Sequence, residues 1–308
     1  MVPVGLSPKG KSVALHRNAG AMISKEIYIK RKNVRTNKEE NGMKAIELVL
    51  VDIDGTLLND QGMVTPKTIE AIKKLKDKQI LFGIATGRTP FAVKHLIKKW
   101  KIEPYVDVIM GFNGGCYLDM RTQKMSSCYL LDGKYIPVIL EAFQEFDFNA
   151  GIYDQESFHV LKEDSFAIEI ARKNQLPLVV DGLTPYYHKQ IEKMIFMADK
   201  EEIQKISQHY HHIKHPYYRG VQSTPILFEF LNPELSKSKG IEKMCQELNL
   251  STDCILTFGD ELNDYEMIRD YIGVSMANAN PKIKDIAQYT TTSNNEDGIA
   301  VFLENYIL

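Results

Sequence analysis

No apolar run in the chain approaches the roughly 18 uninterrupted residues that a membrane-spanning helix needs, so nothing in the sequence reads as a transmembrane segment. Cysteine is scarce. Cys116, Cys128, Cys245 and Cys254 are scattered, without the CxxC pairs of a zinc ribbon or the spacing of a disulfide framework. A reducing, cytoplasmic setting is the expectation, with no membrane partner. A large net charge is missing too. The formal value is -2, and no nucleic-acid partner is expected. The balance is uneven, however: residues 1–42 hold nine Lys or Arg and three Glu, a net of +6, which leaves -8 for residues 43–308. That basic front end lacks a core pattern and an apolar h-region, and Glu26, Glu39 and Glu40 are out of place in a transit peptide. It is expected to be a disordered extension outside the fold.

What the sequence does have is enough material for two domains. It has 308 residues, 44% of them apolar and 25% charged. The organising stretch runs from Ile46 to Leu58, an apolar β-run that ends in Asp52-Ile53-Asp54-Gly55-Thr56. Buried strands do not carry unpaired carboxylates without compensation, so the two aspartates are expected at the carboxyl end of a central parallel strand, where open α/β sheets place ligands. Gly55 makes a sharp turn easy and allows Asp54 to fold back beside Asp52. Two carboxylates about 4 Å apart repel by roughly 4 kcal/mol at an effective dielectric of 20. A shared proton or a hard cation such as Mg2+ offsets that repulsion.

The same pattern recurs along the chain. Thr65-Pro66 opens a helix with Ile69, Ile72 and Leu75 on its inner face. The run Ile80 to Ala85 ends in Thr86-Gly87-Arg88, a hydroxyl, a flexible position and a guanidinium that can surround a phosphate. The run Val106 to Met110 leads to Asn113-Gly114-Gly115, a turn that can also touch ligand. Near residue 237 the strand-helix alternation resumes: Ser238 reads as the cap of a helix, and Lys239 at its positive end calls for a nearby anion. The run Cys254 to Phe258 ends in Gly259-Asp260-Glu261-Leu262-Asn263-Asp264. Asp260 is placed to complete an oxygen-rich Mg2+ site with Asp52 and the backbone carbonyl of Asp54, with Asp264 binding a metal-bound water or orienting Lys239, and Asn263 contacting phosphate or supporting the loop.

Between about 127 and 236 the alternation loses its rhythm, and an inserted α+β cap over the active end of the sheet is the economical reading. The expected division is core 43–126, cap 127–236 and core again 237–308. His209, His211, His212 and His215 lie close in sequence, but Pro216 ends their helix and no second ligand cluster is near, so they read as exposed histidines and not as a zinc site. Phe158, His159, Tyr186, Tyr187, Tyr217 and Tyr218 are the cap side chains that could face a ligand.

Taken in order and spacing, Asp52 to Leu58, Thr86-Gly87-Arg88, Asn113-Gly114-Gly115, Lys239-Gly240 and Gly259 to Asp264 resemble the motifs of the haloacid dehalogenase superfamily, and the large insertion resembles the cap of its Cof-type branch. The resemblance covers residues 43–308. It implies a Rossmann-like α/β core with a parallel central sheet, an inserted α+β cap, and a phosphatase acting on a small phosphorylated metabolite such as a sugar phosphate. It further implies that Asp52 attacks phosphorus to form an aspartyl-phosphate, that Asp54 protonates the leaving oxygen and then activates water, and that Thr86 and Lys239 hold the phosphoryl oxygens. Gly87, Arg88, Asn113, Gly114 and Asn263 would lie near the phosphate or leaving group, and Asp52, Asp54, Asp260 and Asp264 would form the Mg2+ site. Glu261 departs from the aspartate or serine more common there. A phosphosugar phosphomutase and a receiver-like phosphoacceptor module are the rival readings.

Overall fold

The computed structural model describes residues 45–213 and 215–308. The basic front end, residues 1–42, lies outside the described residues. From Leu48 the chain alternates strand and helix: β1 (Leu48–Val51), α1 (Pro66–Asp77), β2 (Leu81–Ala85), α2 (Pro90–Lys99) and β3 (Val108–Gly111). An antiparallel pair follows, β4 (Cys116–Asp119) and β5 (Lys124–Ser127). The middle of the chain holds β6 (Leu131–Asp132), α3 (Tyr135–Ala142), β7 (Asn149–Asp154), β8 (Ser157–Val160), α4 (Ser165–Asn174), β9 (Leu178–Val180), β10 (Gln190–Ile191), β11 (Met194–Met197), α5 (Lys200–His212), β12 (Arg219–Thr224) and β13 (Leu227–Leu231). The alternation then returns with α6 (Lys237–Leu248), β14 (Ile255–Gly259), α7 (Tyr265–Asp270), β15 (Ile272–Ser275), α8 (Pro281–Ile286), β16 (Tyr289–Thr290) and α9 (Gly298–Tyr306).

Two large sheets result. The first has eight strands in the order β16-β15-β14-β1-β2-β3-β4-β5, parallel from β16 to β3 and antiparallel at the β4–β5 edge. This is the expected Rossmann-like core. Every residue of β1 is buried, as a strand covered on both faces must be. Helix α1 shows how local sequence builds the layers: Thr65 caps it by accepting from the Thr68 amide, Pro66 opens it, and Ala71, Ile72 and Leu75 face inward.

Register explains why the polar segments meet. β1 pairs in parallel with β14 on one side, Val51 opposite Phe258, and with β2 on the other, Val51 opposite Ile84. Strands aligned in this way end at the same edge, so Asp52, Thr86 and the Gly259-Asp260 turn emerge side by side.

The second sheet, in the order β12-β13-β11-β7-β8-β9, lies within the insertion. Its two faces separate by the period-2 rule. Met194, Phe196, Phe228 and Phe230 pack with Ile136, Ile139 and Phe143 of the α3 region and with Ile203 and Ile206 of α5. Ile195 and Met197 face the other way, into a cluster with Ala167 and Ile170 of α4, with Phe112 of the turn after β3 and with Cys116 of β4. The cap therefore turns one face of its sheet toward the loop after β3.

Candidate active site

At the carboxyl edge of β1, the buried Asp52 accepts a hydrogen bond from Lys237 Nζ at 2.5 Å. The same ammonium donates to Asp264 Oδ1 at 2.6 Å, and neither Lys237 nor Asp264 exposes any side chain. Asp260 completes the cluster: one carboxylate oxygen from each of Asp52, Asp260 and Asp264 lies within 4.8 Å of the others. Thr56 Oγ1 donates to Asp260 Oδ1 at 2.7 Å. Asp264 Oδ2 accepts from the Asp260 and Glu261 amides, which fixes the turn that carries Asp260. Gly55 has a positive φ of 82°, and a Cβ there would fall 2.2 Å from Asp260 Oδ2. Only glycine allows both this turn and this approach.

Three carboxylates share one ammonium, so the cluster is short of positive charge. Burial, reinforced by the charges of Asp264 and Asp260 against the opposing pull of Lys237, raises the Asp52 pKa to about 7. Burial and the Asp264 and Glu261 charges raise that of Asp260 to about 6, against the Thr56 hydrogen bond. Burial alone would weaken the Lys237 ammonium, but Asp264 and Asp52 more than reverse this and hold its pKa above the ordinary lysine value. An all-oxygen donor set with excess negative charge fits a hard divalent cation.

The structure corrects the lysine. Helix α6 is capped by Ser236, whose side chain accepts from the Lys239 amide, so it begins two residues earlier than a Ser238 cap implies. Two residues turn a helix by about 200°, which sends Lys237 and Lys239 to opposite sides. Lys237 enters the carboxylate cluster, whereas Lys239 is 41% exposed and pairs with Glu234 outside it. Asp264 accordingly orients Lys237 and not Lys239. Ser238 donates instead to Asp270.

Asp54 also differs from expectation. Its carboxylate does not fold in beside Asp52; it is 65% exposed and accepts from Arg88 Nη2 at 2.9 and 2.8 Å. Arg88 is thereby engaged with Asp54. Thr86 is buried beside Asp52 at the end of β2, and its hydroxyl accepts from the Arg88 amide at 3.3 Å. Gly87 runs past Asn113, where an added Cβ would lie 3.2 Å from Asn113 Oδ1. Asn263 Nδ2 donates to that same Oδ1 at 3.4 Å, so these residues form one rim. Gly114, with a φ of 100°, packs against Ser236 O and Gly240, and its place is explained by the close seating of α6.

Residues beyond the motifs brace the aspartate loop. Asn278 Nδ2 donates to Gly55 O, and Asn294, held by Asn278 Oδ1 through its amide, donates to Leu58 O. Asp297 pairs with Thr65, the α1 cap. The aromatic candidates of the cap serve other ends: Phe158 is in the core, His159 bonds Ser157 and Asp181, Tyr186 donates to Asp154, and Tyr218 is buried against Phe230. Tyr217 stacks on Tyr135 at the surface. His209 bonds Ala142 O and His215 stacks on Tyr218. Among the described residues, the aspartate cluster is the group of three or more ligating side chains arranged to hold a metal, and the histidines form none.

The family model of the haloacid dehalogenase-like hydrolases matches residues 49–303. The chain belongs to this family. The family match and the relatives make it a member of the Cof-type branch and an enzyme of the haloacid dehalogenase phosphatase type. It is 27% identical over 266 residues to a 5-amino-6-(5-phospho-D-ribitylamino)uracil phosphatase of Bacillus subtilis, covering 84% of this chain and 97% of that protein. A second Bacillus subtilis protein of that description is 24% identical, covering 85% of this chain and 96% of its own length. The fold matches the crystal structure of a haloacid dehalogenase-like hydrolase from Bacteroides thetaiotaomicron with a TM-score of 0.75 at 22% identity, covering 84% of this chain and 99% of that one. Among the described residues no helix is long and apolar enough to cross a membrane.

Proposed function

We propose that this hydrolase removes the phosphoryl group from a small phosphorylated metabolite through an aspartyl-phosphate on Asp52, with Mg2+ as its metal. The observation that carries the reading is the Asp52 carboxylate, buried at a strand end and held by Lys237 among Asp260 and Asp264. The cap, residues 127–236, covers the site edge of the core formed by 43–126 and 237–308.

In this reading Asp52 attacks phosphorus as the bond to the leaving oxygen breaks. Asp54 gives that oxygen its proton and later takes one from the water that hydrolyses the acyl phosphate. Asp54 turns inward from Arg88 to do so. Lys237 favours the ionised form of Asp52 against burial and aims it, and its third N–H, free of the two aspartates, donates to a phosphoryl oxygen beside the Thr86 hydroxyl. Asp52, Asp260 and the Asp54 carbonyl would hold Mg2+, supported by Asp264, and when bound it supplies positive charge to the equatorial phosphoryl oxygens. The ribityl phosphate substrates in the names of two relatives favour a hydroxylated leaving group.

Phosphate release should be measured with phosphosugars, ribityl phosphates, nucleotides, pyridoxal phosphate and flavin mononucleotide, before and after chelation. Activity should vanish with chelator, return with Mg2+, and proceed through a labelled phosphoenzyme that Asp52→Asn cannot form. Full activity in rigorously metal-free protein would overturn the metal assignment, and normal phosphoenzyme formation by Asp52→Asn would overturn the nucleophile.

A further inference from the structure

The core-facing side of the cap sheet carries a charged pair where an apolar contact is expected. Lys193, just before β11, and Glu229 of β13 are 6% and 5% exposed. Glu229 lies opposite Ile195 in the β11–β13 register, so Lys193, two residues before Ile195, shares its face. Lys193 Nζ donates to Glu229 Oε1 at 2.9 Å. It also reaches across to the core and donates to the carbonyl of Gly87 at 3.4 Å. The rings of Phe112 and Tyr153 lie 5.7 and 5.9 Å from the ammonium. The second carboxylate oxygen, Glu229 Oε2, is buried without a hydrogen-bond partner.

A buried ion pair contributes little net stability compared with apolar residues of the same size, and a half-satisfied carboxylate is worse than none. This pair is therefore poorly explained as a staple for the cap. Its position gives a better reason. It contacts the backbone of Gly87, next to Thr86, and so faces the rim that Gly87 forms with Asn113 and Asn263.

The geometry points to Lys193 and Glu229 as the pair that recognises a hydroxyl of the leaving group, an assignment that rests on the phosphatase reading above. A hydroxyl both donates and accepts. Glu229 Oε2 is a free acceptor for its proton, and the ammonium has a third N–H for its oxygen. Such a site selects polyol and sugar phosphates over alkyl phosphates, because a leaving group without hydroxyls leaves Glu229 Oε2 and the third Lys193 N–H without a partner.

The test compares ribitol 5-phosphate with n-pentyl phosphate, which has the same carbon chain and no hydroxyls, in the parent enzyme, Glu229→Gln and Lys193→Met. The parent should favour the polyol ester by about 100-fold or more in kcat/KM, since a site built to bond a hydroxyl rejects its deoxy analogue strongly. Each variant should lower that ratio at least tenfold. An unchanged ratio in folded variants, with both esters losing activity equally, would show that the pair only ties cap to core and would overturn the assignment. Should either variant fail to fold, the parent ratio decides: a value near one overturns the assignment. A parent that releases no phosphate from these esters or from p-nitrophenyl phosphate sinks the phosphatase reading itself, and the assignment with it.

Discussion

Replacing Lys237 with methionine removes the one cation from a cluster of three carboxylates. The lysine is fully buried and sits 2.5 Å from Asp52 and 2.6 Å from Asp264. Carboxylate oxygens of Asp52, Asp260 and Asp264 lie within 4.8 Å of one another. At 4.8 Å an ionised pair repels by about 3.5 kcal/mol at an effective dielectric of 20, and by more when closer. The aspartates respond partly by taking up protons, so the repulsion is not felt in full; breaking a buried pair typically costs about 3–5 kcal/mol. Lys237→Met should therefore lower stability by about that amount in metal-free protein, and Mg2+ should restore much of it, because the cation supplies the missing charge. In the proposed mechanism the same change also removes a donor to the phosphoryl group, a loss of about 100-fold to 1,000-fold in kcat for one such donor. Lys239→Met is the control, since that side chain is 41% exposed beside Glu234. Urea unfolding with and without Mg2+, together with phosphate release, measures both effects. The reasoning is refuted if Lys239→Met proves the more damaging of the two, or if Lys237→Met unfolds at the parent urea concentration.

Three further expectations concern the same edge of the core. Gly55→Ala should cost about 1–2 kcal/mol from its left-handed backbone alone and should lower activity more than tenfold by displacing Asp260, and a parent-like thermal midpoint and rate would contradict the close approach seen here. Because Asp52 and Asp260 are raised from 3.8 to about 7 and about 6, the folded protein binds protons that the unfolded chain has released. The stability they contribute is present below pH 4 and lost as pH rises through 6 and 7, so melting in chelator should fall from pH 5 to 8 and Mg2+ should flatten the decline; a rise in chelator would reverse the sign argued here. Asp54→Asn should still form a phosphoenzyme but turn over about 100-fold to 10,000-fold more slowly on unactivated esters, with a smaller effect on an aryl phosphate, and rapid quench with labelled substrate would expose any parent-like turnover.

Much of this was legible in the sequence, because β1, β2 and β14 each end abruptly in polar residues and parallel pairing brings such ends together. Asp52, Thr86 and Asp260 meet at one edge for that reason. The lysine was not legible. Ser236-Lys237-Ser238-Lys239 repeats a serine-lysine step, and either serine can cap a helix, so local chemistry leaves two registers open; the seating of Gly240 on Gly114 belongs to tertiary packing. Asp54 escaped for a related cause, since its partner Arg88 lies 34 residues away across two strands. Glu229 had no sequence signal at all: within Leu227-Phe228-Glu229-Phe230 it reads as the solvent side of an alternating strand, and only the cap's approach to the core makes that side interior.

The pairing of β1 with β14 has a consequence for how the molecule is made. Leu48 lies beside Ile255, so the strand bearing Asp52 waits for some 200 residues of synthesis before one of its two neighbours exists. Until then its edge facing β14 is an apolar row of unsatisfied amides and carbonyls, a template for pairing with other chains. The insertion, whose own sheet is built largely from neighbours in sequence, can condense on the ribosome while that edge stays open. A nascent chain stalled before Ile255 would thus carry a finished cap, no carboxylate cluster, and a sticky half-sheet that chaperones must guard.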